Sequence, residues 1–520
     1  MTNENKIVIH TIKEMRESTQ SGLTYELSAQ VADIYRMKEG LTLITITDGS
    51  EEFKLSAFVP GGVAFPEVAK GTIATFLFRR KHHEGTLQGA LQDVKEASND
   101  EQQMIRDRIN SSAQEKYTPV QSGLDTHFLV KPLQDRMVLA ATLIRKAIYE
   151  KRPIIISHHA DCDGFSAALQ VEVAIKSIIN QVHRDLRYLP TYYSRNPSRT
   201  PFYDVTDVTK DIGFFQISQE KNNVSSPLFI IIDNGSTPQD LLAIRKAKLY
   251  GAQFVVVDHH DPGTLDENGL SAVCKEVLAH VNPHLGGLSK NISASMLCYD
   301  LAHLINETSP QRADVAALGG IADKCAGEEI SWLVEKSGHS KSFIEELALL
   351  VDFEIFNTKF NQAKSPLIDL ITGSLDIQKS LIALYKPIMA TAQAEVKLVT
   401  DHYATRASWG KFSVFLLDGQ LTSLRGDYFS LGKLAGILHG SNATIKPRIT
   451  VIHGDSMLVF RVDQKEFDGF DVNKIVKELK SALPHARISG GGHAVAGSIR
   501  FVAAAKEEVL ETIASLVKNL

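Results

Sequence analysis

The sequence predicts an α/β protein in which a parallel-sheet domain is preceded by a small β-barrel and followed by a smaller α/β domain. Three observations predict it. The apolar runs Pro153 to Ser157, Pro227 to Ile232 and Phe254 to Val257 each open into an acidic loop, and the first two loops lead into helical periodicity, as in parallel strands joined by helices. Residues 23 to 93 instead alternate as short strands. A second strand-rich stretch begins near Trp409 and contains the triplet Gly490, Gly491 and Gly492.

The bulk properties set limits. A chain of 520 residues allows about three domains, and a hydrophobic fraction of 43% with 22% charged residues is that of a globular protein with a full core. The formal net charge of -5 excludes a globally basic nucleic-acid coat, so any nucleic-acid binding is local. Cys162, Cys274, Cys298 and Cys325 are widely spaced and show no paired motif, which fits a reducing, cytoplasmic compartment. No run of about 18 apolar residues is present, so a soluble protein without a signal peptide or membrane contact is expected.

Residues 1–95 are expected to form the barrel, of the oligonucleotide-binding (OB) kind, with Asp48-Gly49 as a hairpin turn. The basic run Arg79 to His83 and the nearby Phe76 and Phe78 read either as a surface for single-stranded nucleic acid or as a solvated turn beside core aromatics. Residues 96–132 form a helical connector. Residues 133–375 are the parallel-sheet domain, beginning with an amphipathic helix from Leu133 to Tyr149. Its insertion from Leu189 to Ser226 interleaves Tyr192, Tyr193, Arg195, Arg199, Phe202 and Tyr203, either as a single-strand channel or as an ordinary surface. A linker helix occupies 376–404, and 405–520 form the smaller α/β domain.

The chemistry gathers at the strand ends. Asp161 and Asp163 follow the first strand, Asp233 the second, and Asp258, His259 and His260 the third, while Asp323 follows Gly320-Ile-Ala. In open α/β sheets ligands sit beyond the carboxyl ends of the strands. Carboxylates crowded there repel unless cations neutralise them, and two divalent metals resolve the conflict. Mixed carboxylate and imidazole donors favour Mn2+, with Mg2+ as the alternative. Adjacent His259 and His260 in an extended chain face opposite ways, so one of them supports the other's contacts.

In order, the stretches His158-His-Ala-Asp-Cys-Asp-Gly164, Ile231-Ile-Asp-Asn-Gly-Ser236, Val257-Asp-His-His260, Val281-Asn-Pro-His284, Gly320-Ile-Ala-Asp323 and Gly490-Gly-Gly-His493 resemble the motifs of the DHH-family phosphoesterases, and specifically the RecJ-type nucleases and their archaeal relatives. The resemblance implies a catalytic DHH domain and a DHH-associated domain with the cleft between them. It implies His159, Asp161, Asp163, Asp233, His259 and Asp323 as metal ligands, with Asp233 as the bridge and Asp258 and His260 as ligands or orienting partners. Many family members carry a His where this chain has Ser157, and His159 matches the RecJ-like variant in position. Gly490, Gly491, Gly492 and His493 resemble the substrate-holding glycine motif, and Arg461 is placed like a substrate-gripping arginine.

The expected activity is therefore a metal-dependent exonuclease acting on single-stranded DNA or RNA in replication or repair. Family resemblance adds replication-fork or helicase proteins as partners. The rival activities are hydrolysis of short oligoribonucleotides or cyclic dinucleotides, and a scaffold role in a replication complex.

Overall fold

A computed structural model describes residues 6–17, 23–37, 39–83, 86–121, 131–182, 188–198, 202–222, 225–288, 291–357, 366–420, 431–463 and 470–520. The chain divides into two compact units, Met1–Thr118 and Pro119–Leu520.

The first unit holds β1 (Lys6–Val8), β2 (Thr24–Arg36), β3 (Leu41–Thr47), β4 (Glu52–Phe58), β5 (Ile73–His83) and β6 (Thr86–Glu96). Its sheet runs β1-β2-β3-β4-β6-β5, and β2 also pairs with β5, closing five strands into a barrel as the alternating sequence predicts. The single parallel contact of the barrel proper, β4 with β6, marks the crossing that carries the chain over its end. Strict alternation along β3 sends Thr42, Ile44 and Ile46 inward. The same alternation corrects the reading of the basic strand. Phe76 and Phe78 are fully buried core residues and offer no face to a base, and Arg79 to His83 continue β5 as strand instead of forming a turn. Arg80 bends back to donate to Met15 O (3.1 Å). Among the described residues of the barrel, the exposed aromatics are Tyr35 and Phe58, 61% and 62% accessible, on the outer side of β2 and β4. The helix Asn99–Tyr117 starts at a capping box in which Ser98 and Glu101 satisfy each other's backbone amides.

In the second unit, β7 (Ile154–His159), β8 (Tyr193–Ser198), β9 (Leu228–Ile232), β10 (Gln253–Val257) and β11 (Ala279–Val281) form an all-parallel sheet in the order β11-β10-β9-β7-β8. Two of these, β8 and β11, join the three strands expected from sequence. The chain leaves β7 for one edge, then returns to build outward from its other side, so the order reverses between β7 and β9. Both faces are covered, which is why the strands are apolar on successive residues. Ile154, Ile156, Ile230, Ile232, Val255 and Val257 meet the helices Gln134–Tyr149, Cys162–Val182 and Ala294–Ile305, whereas Ile155, Phe229, Ile231, Phe254 and Val256 meet Val205–Asn222 and Leu241–Lys248.

Two residues of the insertion, Arg195 and Tyr203, point inward. Arg195 is buried, with Nε on Glu172 and Nη1 donating to His158 Nε2 (3.1 Å). Tyr203 is buried with its hydroxyl donating to Asp211 (3.1 Å). Arg199 lies outside the described residues. These contacts overturn the channel reading for Arg195 and Tyr203.

After the helix Leu375–Tyr403, the last part of the chain forms β12 (Thr405–Trp409), β13 (Phe412–Asp418), β14 (Arg448–His453), β15 (Met457–Val462), β16 (Ser489–His493) and β17 (Ala496–Arg500) in the order β12-β13-β14-β15-β17-β16. One face packs on Val472–Ala482 and Lys506–Lys518, and the other carries Phe415, Leu417, Ile452 and Val459 into the core shared with the parallel-sheet domain. Among the described residues no helix is long and apolar enough to cross a membrane.

Candidate metal centre

The site sits where the order of the parallel sheet reverses. Along β7 the side chains alternate, so the two adjacent histidines part company. His158 is buried, its Nδ1 donating to His159 O (2.7 Å), and burial together with Arg195 lowers its pKa to about 3. His159 instead reaches the carboxylates beyond the strand, with Nδ1 2.9 Å from Asp161 Oδ2 and 3.4 Å from Asp233 Oδ2. Asp161 opens the next helix, accepting from Gly164 N (2.9 Å). Burial opposes charge on both His159 and Asp161, yet each holds the other charged, raising the imidazole's pKa and lowering the carboxyl's.

Asp233 follows β9 in the left-handed region, at φ 58°, a strained backbone for a residue with a side chain. Its amide donates to Val257 O (2.9 Å), fixing the turn against the neighbouring strand. His259, past the end of β10, brings Nε2 to 3.2 Å from Asp233 Oδ1 and 4.0 Å from Asp163 Oδ2, with Nδ1 3.7 Å from Asp323 Oδ2. Burial disfavours its cation, but Asp233, Asp323 and Asp163 together raise its pKa well above the ordinary value.

Asp258 serves the turn. Its Oδ2 accepts from Ser236 N (2.9 Å), and its Oδ1 accepts from His259 N (2.7 Å) and faces His260 Nδ1 at 2.8 Å. Ser236 Oγ accepts from Asn282 Nδ2 (3.0 Å) and lies 2.8 Å from His280 Nε2, so β11 braces the same turn. Asp163 is 2% exposed and held by the start of the helix Ala294–Ile305: Ser293 Oγ (2.7 Å), Ala294 N (2.8 Å) and Ser295 N (3.0 Å) all donate to it. Burial first, then Asp233, pushes its pKa up to about 7, and burial likewise raises Asp323 to about 6.

Among the described residues, two groups of donor atoms each lie within 4.8 Å of one another: His159, Asp161 and Asp233, and Asp233, Asp258, His259 and His260. Asp233 belongs to both, the placement a bridging carboxylate requires. Asp163 and Asp323 border the second group through His259. The donor set fits divalent cations, since Asp163 and Asp323 are pushed toward neutrality and His159 and His259 toward charge, and cations that replace the protons relieve both. Sequence reasoning missed Ser293 and Ser295, which hold Asp163, and His280, which lies against Ser236; Ser236 and Asn282 lay within quoted motifs without a role.

The remaining expected residues gather on the last sheet. The glycine motif is strand β16, with φ of 145°, 157° and 135° at Gly490, Gly491 and Gly492, values that residues with a Cβ rarely adopt. Across β17, Ala496 pairs with both His493 and Arg461, so the two share one end of the sheet. The side chain of His493 lies outside the described residues. Arg461 Nη1 donates to Phe460 O (2.9 Å) and Nη2 to Gly432 O (3.4 Å), and burial lowers its pKa.

Comparison with known proteins agrees with this architecture. Residues 153–321 match the DHH family, N-terminal domain. An uncharacterized protein of Methanocaldococcus jannaschii, MJ1198, is 31% identical over 513 residues, covering 92% of this chain and 67% of that protein. A solved structure described as the DHH domain of a member of the s1p family of ribosomal proteins is 32% identical with a TM-score of 0.73, covering 81% of this chain and 100% of that one. The chain belongs to the DHH family. It also resembles the single-stranded-DNA-specific exonuclease RecJ of Bacillus subtilis, at 26% identity over 193 residues that cover 35% of this chain and 20% of that protein. RecJ of Thermus thermophilus, solved in complex with Mn2+, shares the fold at a TM-score of 0.51 and 17% identity, covering 78% of this chain and 57% of that one.

Proposed function

We propose that the protein is a manganese-dependent phosphodiesterase that removes nucleotides from an end of single-stranded DNA or RNA. The observation that carries this reading is Asp233, common to two donor groups at the reversal of the sheet. His159 and Asp161 would complete one Mn2+ site and His259, with Asp163 and Asp323, the other. The pair would supply Lewis acidity at a phosphoryl oxygen and lower the pKa of the attacking water. The chain's own residues do the rest. Asp258 orients His260 and the turn, and Arg461, whose two donated bonds go to carbonyls, keeps a cation in a partly buried place that suits a phosphate. The glycine strand brings backbone amides close to the phosphate, with His493 at its end.

The names of the relatives support a polymer substrate and a divalent metal, Mn2+ with Mg2+ as the alternative, since the Bacillus subtilis protein is a single-stranded-DNA-specific exonuclease and the Thermus thermophilus RecJ was solved with Mn2+ and with Mg2+. The closed barrel favours a polymer over a free dinucleotide, because such barrels bind oligonucleotides on their outer strands. The reading extends to a role in DNA replication or repair beside replication-fork or helicase proteins. Digestion of single-stranded DNA and RNA, labelled at either end, with Mn2+, Mg2+ or chelator and an Asp233→Ala control, tests it. Manganese-dependent laddering lost in the variant is expected. Intact strands under every condition would sink the nuclease, and hydrolysis of only dinucleotides would move the substrate to the small phosphodiesters.

A further inference from the structure

We infer that Gln239 is a positioning residue whose side-chain amide fixes the glycine strand against the loop that carries Asp233. The inference rests on the reading above that β16 holds the substrate phosphate. Gln239 Nε2 donates to Gly490 O at 3.0 Å, joining the parallel-sheet domain to the last sheet across 251 positions of sequence. The acceptor is a carbonyl, so the amide must present its nitrogen.

The loop from Asp233 to Asp240 is braced at several points. Asp233 N is tied to Val257 O (2.9 Å), Ser236 N to Asp258 (2.9 Å), and Thr237 N and Oγ1 to Asp240 Oδ2 (2.6 and 2.7 Å). Asp240 is itself buried and accepts from Tyr203 N (2.6 Å). A loop held this way transmits the position of Asp233 to Gln239 with little slack. On the other side, Asn473 Nδ2 donates to Gly492 O (3.0 Å), so two amides grip alternate carbonyls of one edge strand. Next to it, Arg500 of β17 stands 3.5 Å from Asp204 and 5.4 Å from the centre of the Phe202 ring, a second tie between the same two bodies.

The chemistry explains why amides serve here. Bare carbonyl oxygens on the edge of β16 would turn negative dipole ends toward a phosphate, whereas carbonyls already accepting from Gln239 and Asn473 are largely neutralised. Gln239 thereby sets both the distance from Asp233 to the strand and the sign of the field that the strand presents.

The test compares Gln239→Ala and Gln239→Glu with the wild-type chain. The second keeps the size but, when ionised, has no donor. The measurements are steady-state cleavage of a single-stranded oligonucleotide, calorimetric titration with Mn2+, the melting midpoint, and hydrogen exchange over residues 488–500. Both variants are expected to lose about tenfold in kcat/KM, mostly in kcat, with Mn2+ affinity and melting midpoint unchanged and exchange over β16 accelerated. Turnover within twofold of wild type, or unaltered exchange over β16, would overturn the inference. So would a loss of Mn2+ affinity that matches the loss of turnover, because Gln239 would then support only the metal loop. If the wild-type chain cleaves no strand, the proposed function fails, and the exchange comparison still decides whether Gln239 fixes β16.

Discussion

A Cβ placed on Gly319 would stand 2.5 Å from Asp163 Oδ1 and 2.2 Å from Ser295 Oγ. The helix Ala313–Ala322 thus backs directly onto the carboxylate that the start of the helix Ala294–Ile305 holds. Gly319→Ala is expected to displace Asp163 without removing any donor. A shift of this kind costs about 100-fold in turnover, so cleavage should collapse while far-ultraviolet circular dichroism stays that of the wild type. Ser293→Ala, which deletes one bond of three, is expected to lose less.

Mn2+ should stabilise the folded chain by binding it and not the unfolded one. At a concentration 100 times the dissociation constant the gain is about 2.7 kcal/mol. Scanning calorimetry with and without Mn2+ should show the rise in wild type, and Asp233→Asn should abolish most of it because Asp233 serves both donor groups. An equal rise in the variant would place the ions elsewhere.

Asp211 links pH to stability away from the metal centre. Burial raises its pKa to about 7, against the opposing bonds from Tyr203 and Asn196. A carboxyl whose folded pKa lies above its unfolded value favours the fold when protonated, and that contribution fades as pH rises from about 4 to about 7. Asp211→Asn keeps the shape and can both accept from Asn196 and donate to Tyr203. Urea denaturation should therefore find the variant more stable than wild type by about 1 to 3 kcal/mol at pH 8, and the difference should vanish near pH 4.

On the barrel, Tyr35→Ala with Phe58→Ala removes two aromatics that face solvent. If single strands stack there, as aromatic platforms on such barrels allow, the affinity for a long oligonucleotide should fall by about 1 to 3 kcal/mol per stacked base. Cleavage of a dinucleotide should stay unchanged. Phe78→Ala, by contrast, should unfold the barrel, because that ring packs on Tyr25 and Phe53 in the core.

The legible parts of the sequence were those where one local pattern has one physical meaning. A run as short as Phe254 to Val257, apolar at every position, fits a strand covered on both faces, and the acids that follow such parallel strands emerge at one end of the sheet. Alternation told that Phe76 and Phe78 share a face, but a period of two does not say which face is inside; closure of the barrel decided that. The strand Tyr193–Ser198 carries polar residues that find partners on other elements, Arg195 with Glu172 and His158 and Asn196 with Asp211, contacts that no local pattern signals. Likewise Ser293 meets Asp163 across 130 positions, beyond the reach of any local signal. Three glycines in a row have no side-chain pattern at all, so nothing local marks β16 as a strand until β17 pairs with it.

That glycine strand also bears on solubility. Three successive residues of this edge strand, Gly490 to Gly492, carry no side chain that could repel a strand from another molecule, and unguarded edges invite intermolecular pairing. Here the acceptors at Gly490 and Gly492 are already taken by Gln239 and Asn473. An incoming chain would have to break both bonds before it could zip on, so the two amides guard the edge against aggregation.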